Sequence, residues 1–373
     1  MKIGIVCYPT FGGSGIVATE LGKALAVKGH EVHFIAYRQP VRLNTLNNIY
    51  FHEVRVAEYP LFEYPPYELG LACKLFDVVK FEKLDLLHVH YAIPHAYVAY
   101  LTKQMLAEEG IKIPVVTTLH GTDITLIGKS PGLAPAVSFS INHSDVVTAV
   151  SNDLKAETLA SFAVRKEIQV IPNFIDFKIH HTVFDKDLHN YYAPSGEKIL
   201  IHVSNFRPVK RVTDVIKIFA NIRQKMPVKL VMVGDGPDRD NAEYLCRELG
   251  YCDDVKFLGK SKDIPKILAI ADLFILPSEK ESFGLVALEA MAAHVPVIST
   301  NIGGLSEVNI DGATGFTSAL GDVKKMSDDA ISLLSNELLY KEFALNAFNV
   351  SKQYDIERVM PLYENAYQIA LNK

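Results

Sequence analysis

The chain has 373 residues, 49% of them hydrophobic and 22% charged, with a formal net charge of −5. At roughly 150 residues per domain, that length supports two domains, each able to bury its own core. The composition excludes a disordered chain, a collagen-like repeat and a disulfide scaffold, and the small net charge gives no reason to expect nucleic acid or a membrane held by bulk electrostatics.

The chain opens on Met1-Lys2 and an apolar run to Cys7 that Tyr8-Pro9 ends, too short for the core of an export signal. No stretch reaches the roughly 18 apolar residues of a membrane span. Four scattered cysteines, Cys7, Cys73, Cys246 and Cys252, fit reduced thiols. A cytoplasmic protein without a membrane anchor is expected.

Short apolar runs then alternate with amphipathic ones. Strands are predicted over 2–7, 31–36, 86–90, 114–119, 145–150 and 168–171, with a helix over 15–28 and helical spacing between most of the others. Near-continuous apolar strands of this kind are covered on both faces by helices, which implies a parallel, doubly wound sheet. The pattern pauses at Pro172-Asn173, and a polar, aromatic stretch with His180, His181 and His189 runs to Pro194-Ser195-Gly196. Strands resume over 198–203, 228–233, 255–258, 273–276 and 297–300, and the last 50 residues read as helices. The expected fold is therefore α/β: two Rossmann-like doubly wound parallel-sheet domains, over 1–173 and 174–355, with a final helix at about 356–373 packing back on the first. Open sheets of this class bind ligands at the carboxyl ends of their strands, so two such sheets facing across a cleft could hold two substrates.

Three clusters lie at such strand ends. The first is Gly12-Gly13-Ser14-Gly15-Ile16-Val17-Ala18, where glycines allow close backbone approach and the following helix offers free N–H groups to an anion. Gly13, Gly15 and Ala18 also satisfy G-x-G-x-x-[GA]. A nicotinamide enzyme should then carry an acid after the second strand; Tyr37-Arg38 stands there, so an NADP site carried by Arg38 is the lesser reading, beside a tight turn with no ligand. The second cluster, Ser204-Asn205-Phe206-Arg207-Pro208-Val209-Lys210-Arg211, sets three cations where they can neutralise a departing diphosphate; its alternative is a solvated basic loop. The third runs from Ser278 to Ala290. Its loop carries Glu281, Gly284 opens a helix carrying Glu289, and the Gly284 and Leu285 amides face the positive end of that helix, suited to a phosphate. Eight residues apart, the two glutamates are expected about two turns from one another on roughly one side. A hydrolase would need its carboxylates about 5–9 Å apart across a glycosidic bond, and two turns exceed that.

The E-x7-E element from Glu281 to Glu289, the Gly-rich first loop and the paired doubly wound domains resemble the retaining GT-B glycosyltransferases, which use nucleotide sugars. Within that family, CYPTFGGSGIVATELG (7–22), YPPYELGLA (64–72), HVHYAIPHA (88–96), TTLHGTDIT (117–125), AVSNDL (149–154), HVSNFRPVKRVTDVI (202–216) and GLVALEAMA (284–292) are similar to the branch that glycosylates L-malate at the start of bacillithiol biosynthesis. The resemblance implies transfer of N-acetylglucosamine from UDP-GlcNAc to the malate hydroxyl, with no cofactor and no catalytic metal. It places the catalytic groups at His120, Arg207, Lys210 and Glu281. It places the UDP-sugar donor against Gly13, Gly15, Asn205, Lys210, Gly234, Leu258, Glu281, Phe283, Gly284, Leu285 and Glu289, with Glu281 on sugar hydroxyls and Glu289 on the ribose. The small anionic acceptor falls to Ser14, Tyr91, Thr118, Asn152 and Arg207. Two departures bear on donor positioning: Ala293-His294 precedes Val295-Pro296, where the family often has a small residue or Cys-Gly, and Gly303-Gly304 continues into Leu305-Ser306-Glu307 rather than Pro-Glu. A homodimer is left open.

Other features take plainer readings. His88 and His90 share a strand face at a metal-ligand spacing without a third ligand, which favours structural or substrate-contacting imidazoles over zinc. His180-His181 reads as a solvated connector. Cys246 and Cys252 receive no redox role. Tyr59, Tyr64 and Tyr67 read as an ordered loop and not a nucleic-acid stacking surface. Asp123 orients either His120 or the loop backbone. Rival functions are a related transferase with an inositol phosphate, lipid or polysaccharide acceptor, a sugar-nucleotide epimerase or hydrolase, an NADP-dependent oxidoreductase, and a two-lobed solute-binding protein.

Overall fold

The computed structural model describes residues 1–10, 12–43, 46–56, 63–126, 128–180 and 182–373; Tyr59 and His181 lie outside them. The chain divides into two compact units, Met1–Phe174 with Ile356–Lys373, and Ile175–Asp355.

The first unit holds seven strands: β1 (Lys2–Val6), β2 (Glu31–Ala36), β3 (Ile49–Glu53), β4 (Leu86–His90), β5 (Val115–Leu119), β6 (Val146–Ala149) and β7 (Ile168–Val170). They pair in the order β3-β2-β1-β4-β5-β6-β7, all parallel. Every residue of β4 and β5 is buried, as expected of strands covered on both faces. One face packs Val6, Ile35, Leu87 and Val89 against Leu71, Leu75 and Val98. The helix Ile356–Leu371 lies in this unit, against the helix Gly13–Val27 and strands β4 to β6. Its Tyr363 and Tyr367 are fully buried, and the Tyr367 hydroxyl hydrogen-bonds His88 Nδ1 at 2.9 Å.

The second unit has six parallel strands: β8 (Lys198–Val203), β9 (Val228–Val233), β10 (Val255–Gly259), β11 (Leu273–Leu276), β12 (Val297–Thr300) and β13 (Gly315–Ser318). Their order is β10-β9-β8-β11-β12-β13, and its core gathers Leu200, Phe206, Val215, Phe219, Leu230 and Ile275. Both sheets therefore reverse direction beside their first strand, between β1 and β4 and between β8 and β11. These are the switch points where doubly wound sheets open a crevice for ligands.

Two strands were absent from the sequence reading. β3 is an edge strand whose residues are only partly covered, and β13 is four residues long with a Gly and a Thr; neither shows the continuous apolar run that marks the inner strands. The stretch read as a pause holds two short helices, Phe177–His180 and Lys186–Tyr192. No helix among the described residues is long and apolar enough to cross a membrane.

Candidate active site

In the second unit, the loops leaving β8 and β11 meet at the switch point. His202, buried in β8, donates from Nδ1 to the Ile275 carbonyl of β11 at 2.8 Å, which leaves Nε2 to accept from the Ser204 hydroxyl at 2.8 Å. The same hydroxyl oxygen accepts the Phe206 amide at 3.2 Å. This anchors the start of the basic loop, and burial holds the His202 imidazole neutral, its pKa pushed down to about 4. His202 was not singled out from the sequence, although its place one residue before Val203-Ser204 in HVSN is the signal that could have marked it. Phe206 is fully buried with φ +43°, so Asn205 and Arg207 on either side of it point outward and are exposed. Pro208–Lys210 then forms one tight turn into the helix Val212–Arg223.

The second loop docks on that turn. The Glu279 amide donates to the Val209 carbonyl at 2.7 Å. Lys210 Nζ lies 2.5 Å from Glu281 Oε1, which also accepts from the Ser278 hydroxyl at 2.9 Å. Arg211 is engaged by Asp214, so Lys210 and the exposed Arg207 are the cations this loop offers. Gly284 has φ +90° and starts the helix Leu285–Ala292. A Cβ there would stand 2.5 Å from Leu305 Cδ1, so both its backbone conformation and its packing require glycine. Phe283, 3% exposed, packs edge-on to Tyr354 with centroids 5.5 Å apart. The first amides of the helix have no intrahelical acceptor and face the loop.

Gly234, at the end of β9, has φ +126°, and a Cβ would fall 1.7 Å from the Ser204 carbonyl oxygen. Its amide donates to Gly259 of β10, next to Leu258, at 2.8 Å. Thus Asn205, Lys210, Gly234, Leu258, Glu281, Phe283, Gly284 and Leu285 all stand at or beyond the carboxyl ends of β8 to β11. Glu289 differs. It is 3% exposed, with Oε1 3.7 Å from His180 Nε2.

Two expectations are corrected here. Glu281 stands in the loop, where the sequence reading put it, but the helix begins only at Leu285, so the expected two-turn separation from Glu289 does not describe the pair. What distinguishes the two carboxylates is environment: one is ion-paired to Lys210, the other buried against an imidazole. His180 is no solvated connector either; at 4% exposure it is part of the unit's interior beside Glu289.

The first unit gathers its candidates at the ends of β1, β4, β5 and β6. Gly13 and Gly15 open the helix Gly13–Val27, and Ser14 Oγ lies 2.6 Å from the Tyr91 hydroxyl. Tyr91, at φ +89° just after β4, turns its ring toward His120 and Tyr8, with centroids 5.3 and 5.4 Å away. Asn152 is exposed at the start of the helix Asn152–Ser161, which Ser151 caps through the Leu154 amide. Beside this surface runs an imidazole chain in which His90 and His95 are buried and His120 is half-buried. His90 Nδ1 meets His120 Nε2 at 2.7 Å, and His95 Nδ1 donates to the His90 carbonyl at 2.6 Å. Burial, with neighbouring imidazoles adding to it, pushes His120 and His88 down to about 3, and burial alone lowers His95 to about 4.

Thr118, in β5, is fully buried, and its hydroxyl is shared between His88 Nε2 and Thr148, each at 2.8 Å, so it holds His88 in place. His88 is likewise structural, closed by Thr118 and Tyr367. Asp123 serves the loop backbone: its carboxylate accepts the Ala92 amide at 2.8 Å and the Gly121 amide at 3.1 Å. Burial raises its pKa to about 6.

Residues 11–178 match the family described as Glycosyltransferase Family 4, and residues 184–350 match Glycosyl transferases group 1. The chain is 50% identical to the N-acetyl-alpha-D-glucosaminyl L-malate synthase of Bacillus anthracis, over 98% of this chain and 96% of that one. Among solved structures, Anabaena Alr3699/HepE in complex with UDP-glucose superposes with a TM-score of 0.83 at 21% identity, covering 99% of both chains. The sucrose-phosphate synthase of Thermosynechococcus elongatus does so with a TM-score of 0.82 at 19% identity, covering 99% of this chain and 98% of that one. The chain belongs to the GT-B glycosyltransferases, with a family 4 domain over its first half and a group 1 domain over its second.

Proposed function

We propose that the protein transfers N-acetylglucosamine from UDP-GlcNAc to the hydroxyl of L-malate with retention at the anomeric carbon, the first step of bacillithiol biosynthesis. The observation that carries the reaction class is the Lys210–Glu281 pair beside the Gly284–Leu285 helix start. It brings a cation and a carboxylate to the strand ends beside the first amides of a helix, a set whose chemistry suits a sugar diphosphate. The acceptor and hexose rest on the half-identical relative named for them. UDP-GlcNAc is an α-glycoside and that relative's product is named as one, which is retention.

In this reading the second unit holds the donor. Glu281 exchanges Lys210 for sugar hydroxyls, Glu289 takes the ribose, and Lys210, released onto the diphosphate with Arg207, stabilises charge as the bond from C1 to the phosphate oxygen breaks. The malate oxygen bonds to C1 on the same face, and its proton passes to the departing phosphate oxygen, so no enzyme nucleophile is required. In the first unit Ser14, Tyr91 and Asn152 hold the malate carboxylates as neutral donors. His120 presents a neutral imidazole to the sugar, since burial keeps it from protonating.

The NADP reading has little support: Arg38 is exposed and stacks on its neighbour Tyr37. The deciding experiment incubates the protein with UDP-GlcNAc and a panel of hydroxy acids, inositol phosphate and sugars, measuring UDP release and product mass. A malate–GlcNAc adduct is expected. Turnover with another acceptor and none with malate would overturn the substrate, and UDP release without any acceptor would favour a hydrolase.

A further inference from the structure

We propose that His33, His52 and Glu82 form a binding site for a borderline divalent metal such as zinc, at the β2–β3 edge of the first unit and outside the groups assigned to sugar transfer. One ligand atom from each of the three side chains lies within 4.8 Å of the other two. His33 projects from β2, fully buried, and His52 from β3, on the same sheet face because His33 is in register with Tyr50, two residues before His52. Glu82 is the last residue of the helix Tyr67–Glu82.

Three features make this more than a chance grouping. The first is the tautomer of His33. Its Nε2 lies 3.0 Å from the Glu31 carboxylate, which is itself held by Lys2 at 2.8 Å. A carboxylate accepts, so Nε2 carries the hydrogen and the Nδ1 lone pair is aimed at His52 Nε2, 2.9 Å away. A carboxylate orienting an imidazole by its far nitrogen is the arrangement that supports metal-bound histidines. The second is the pairing of two imidazole nitrogens, of which one must hold a proton that a metal can replace. His52 then moves its hydrogen from Nε2 to Nδ1 and both lone pairs face the ion, with no net proton released. The third is Glu82, a carboxylate at the negative end of a helix, where the dipole disfavours an anion and favours a cation. Lys80, in the same turn, is taken up by Glu109 at 2.6 Å.

Two imidazoles and one carboxylate, with water completing a tetrahedron, suit zinc or cobalt better than magnesium or calcium. With bonds of about 2.1 Å, tetrahedral ligand atoms stand roughly 3.4 Å apart, so the histidine pair opens slightly and Glu82 closes in. The bound ion would tie the edge strand β3 to the end of the helix Tyr67–Glu82, securing an edge otherwise held on one side only.

The test uses the untagged full-length chain, stripped of metal, titrated with Zn²⁺ against a chromophoric chelator. One equivalent per chain is expected, with affinity at least about 10-fold lower in His52→Ala and in Glu82→Gln. Zinc should raise the Tm of the wild type and leave that of both variants nearly unchanged. Co²⁺ in its place should give a tetrahedral spectrum without a thiolate charge-transfer band. Failure to bind one equivalent, binding indifferent to both substitutions, or a thiolate band implicating Cys7, Cys73, Cys246 or Cys252 would each overturn the proposal. None of these readouts depends on sugar transfer.

Discussion

Lys210 illustrates how one side chain can serve two states. Without a donor, its ammonium and the Glu281 carboxylate neutralise each other at 2.5 Å in a partly covered crevice. A sugar diphosphate offers each of them a better partner, so the pair can separate without leaving a bare charge. Lys210→Ala should therefore lower kcat by about 10²-fold or more, the usual scale for a lost transition-state charge contact. Thermal stability should change little, because Glu281 keeps its Ser278 hydrogen bond and a partly exposed ion pair contributes about 1 kcal/mol or less. Wild-type UDP release from the variant would remove Lys210 from the leaving-group role. A large loss of Tm with normal kcat would make the pair structural.

At the scale of elements, the positions of helix starts and strand ends decide what the site can do. The helix Leu285–Ala292 begins where it does because Gly284 adopts φ +90° and presses on Leu305. Gly284→Ala should cost at least about 1–2 kcal/mol from the left-handed backbone alone, and relief of the clash would shift the amides that receive the diphosphate. Calorimetry should show a lower Tm for the second unit, and kinetics a raised KM for UDP-GlcNAc; an unaltered KM would separate the helix start from the donor. The helix Ile356–Leu371 is anchored differently, through the Tyr367 hydroxyl on buried His88. Tyr367→Phe leaves that imidazole nitrogen without its partner and should destabilise the first unit by about 1–3 kcal/mol in denaturant unfolding. No change there would mean that apolar contact alone seats the helix. These two elements also mark what was legible in sequence. Inner strands such as KIGIV and LLHVH could be read because burial on both faces favours near-continuous apolar residues, and ESFGLVALE could be read because its glycine punctuates the loop just before a helix start. The edge strand IYFHE could not, since its side chains are half covered and its pattern is mixed. Nor could the burial of Thr118 and His180, which is set by groups 30 and more than 100 residues away, His88 and Glu289.

For the molecule as a whole, the uneven placement of neutral imidazoles predicts unequal resistance to acid. The first unit contains His88 and His120 at about 3, His95 at about 4, and His90 and His52 also lowered, burial being the leading cause in each. Among the described residues the second unit has His202 at about 4. An imidazole depressed in the fold takes up its proton near pH 6.5 only after unfolding, so the stability it permits is complete above 6.5 and is lost as pH falls toward its folded value. Each such group costs up to about 1.4 kcal/mol per pH unit within that window. Asp123 acts in the opposite direction: its folded pKa of about 6 lies above the ordinary 3.8, so the fold gains a proton, and stability, as pH drops between those values. One carboxyl cannot offset several imidazoles. Between pH 6.5 and 4.5, before most carboxylates titrate, the first unit should therefore lose stability more steeply than the second. Calorimetric scans at descending pH should separate into two transitions, with the earlier one assigned by hydrogen exchange to β4 and β5. Parallel decline of both units, or earlier opening of β8 and β11, would show that the buried histidines of the first unit are protonated without unfolding it.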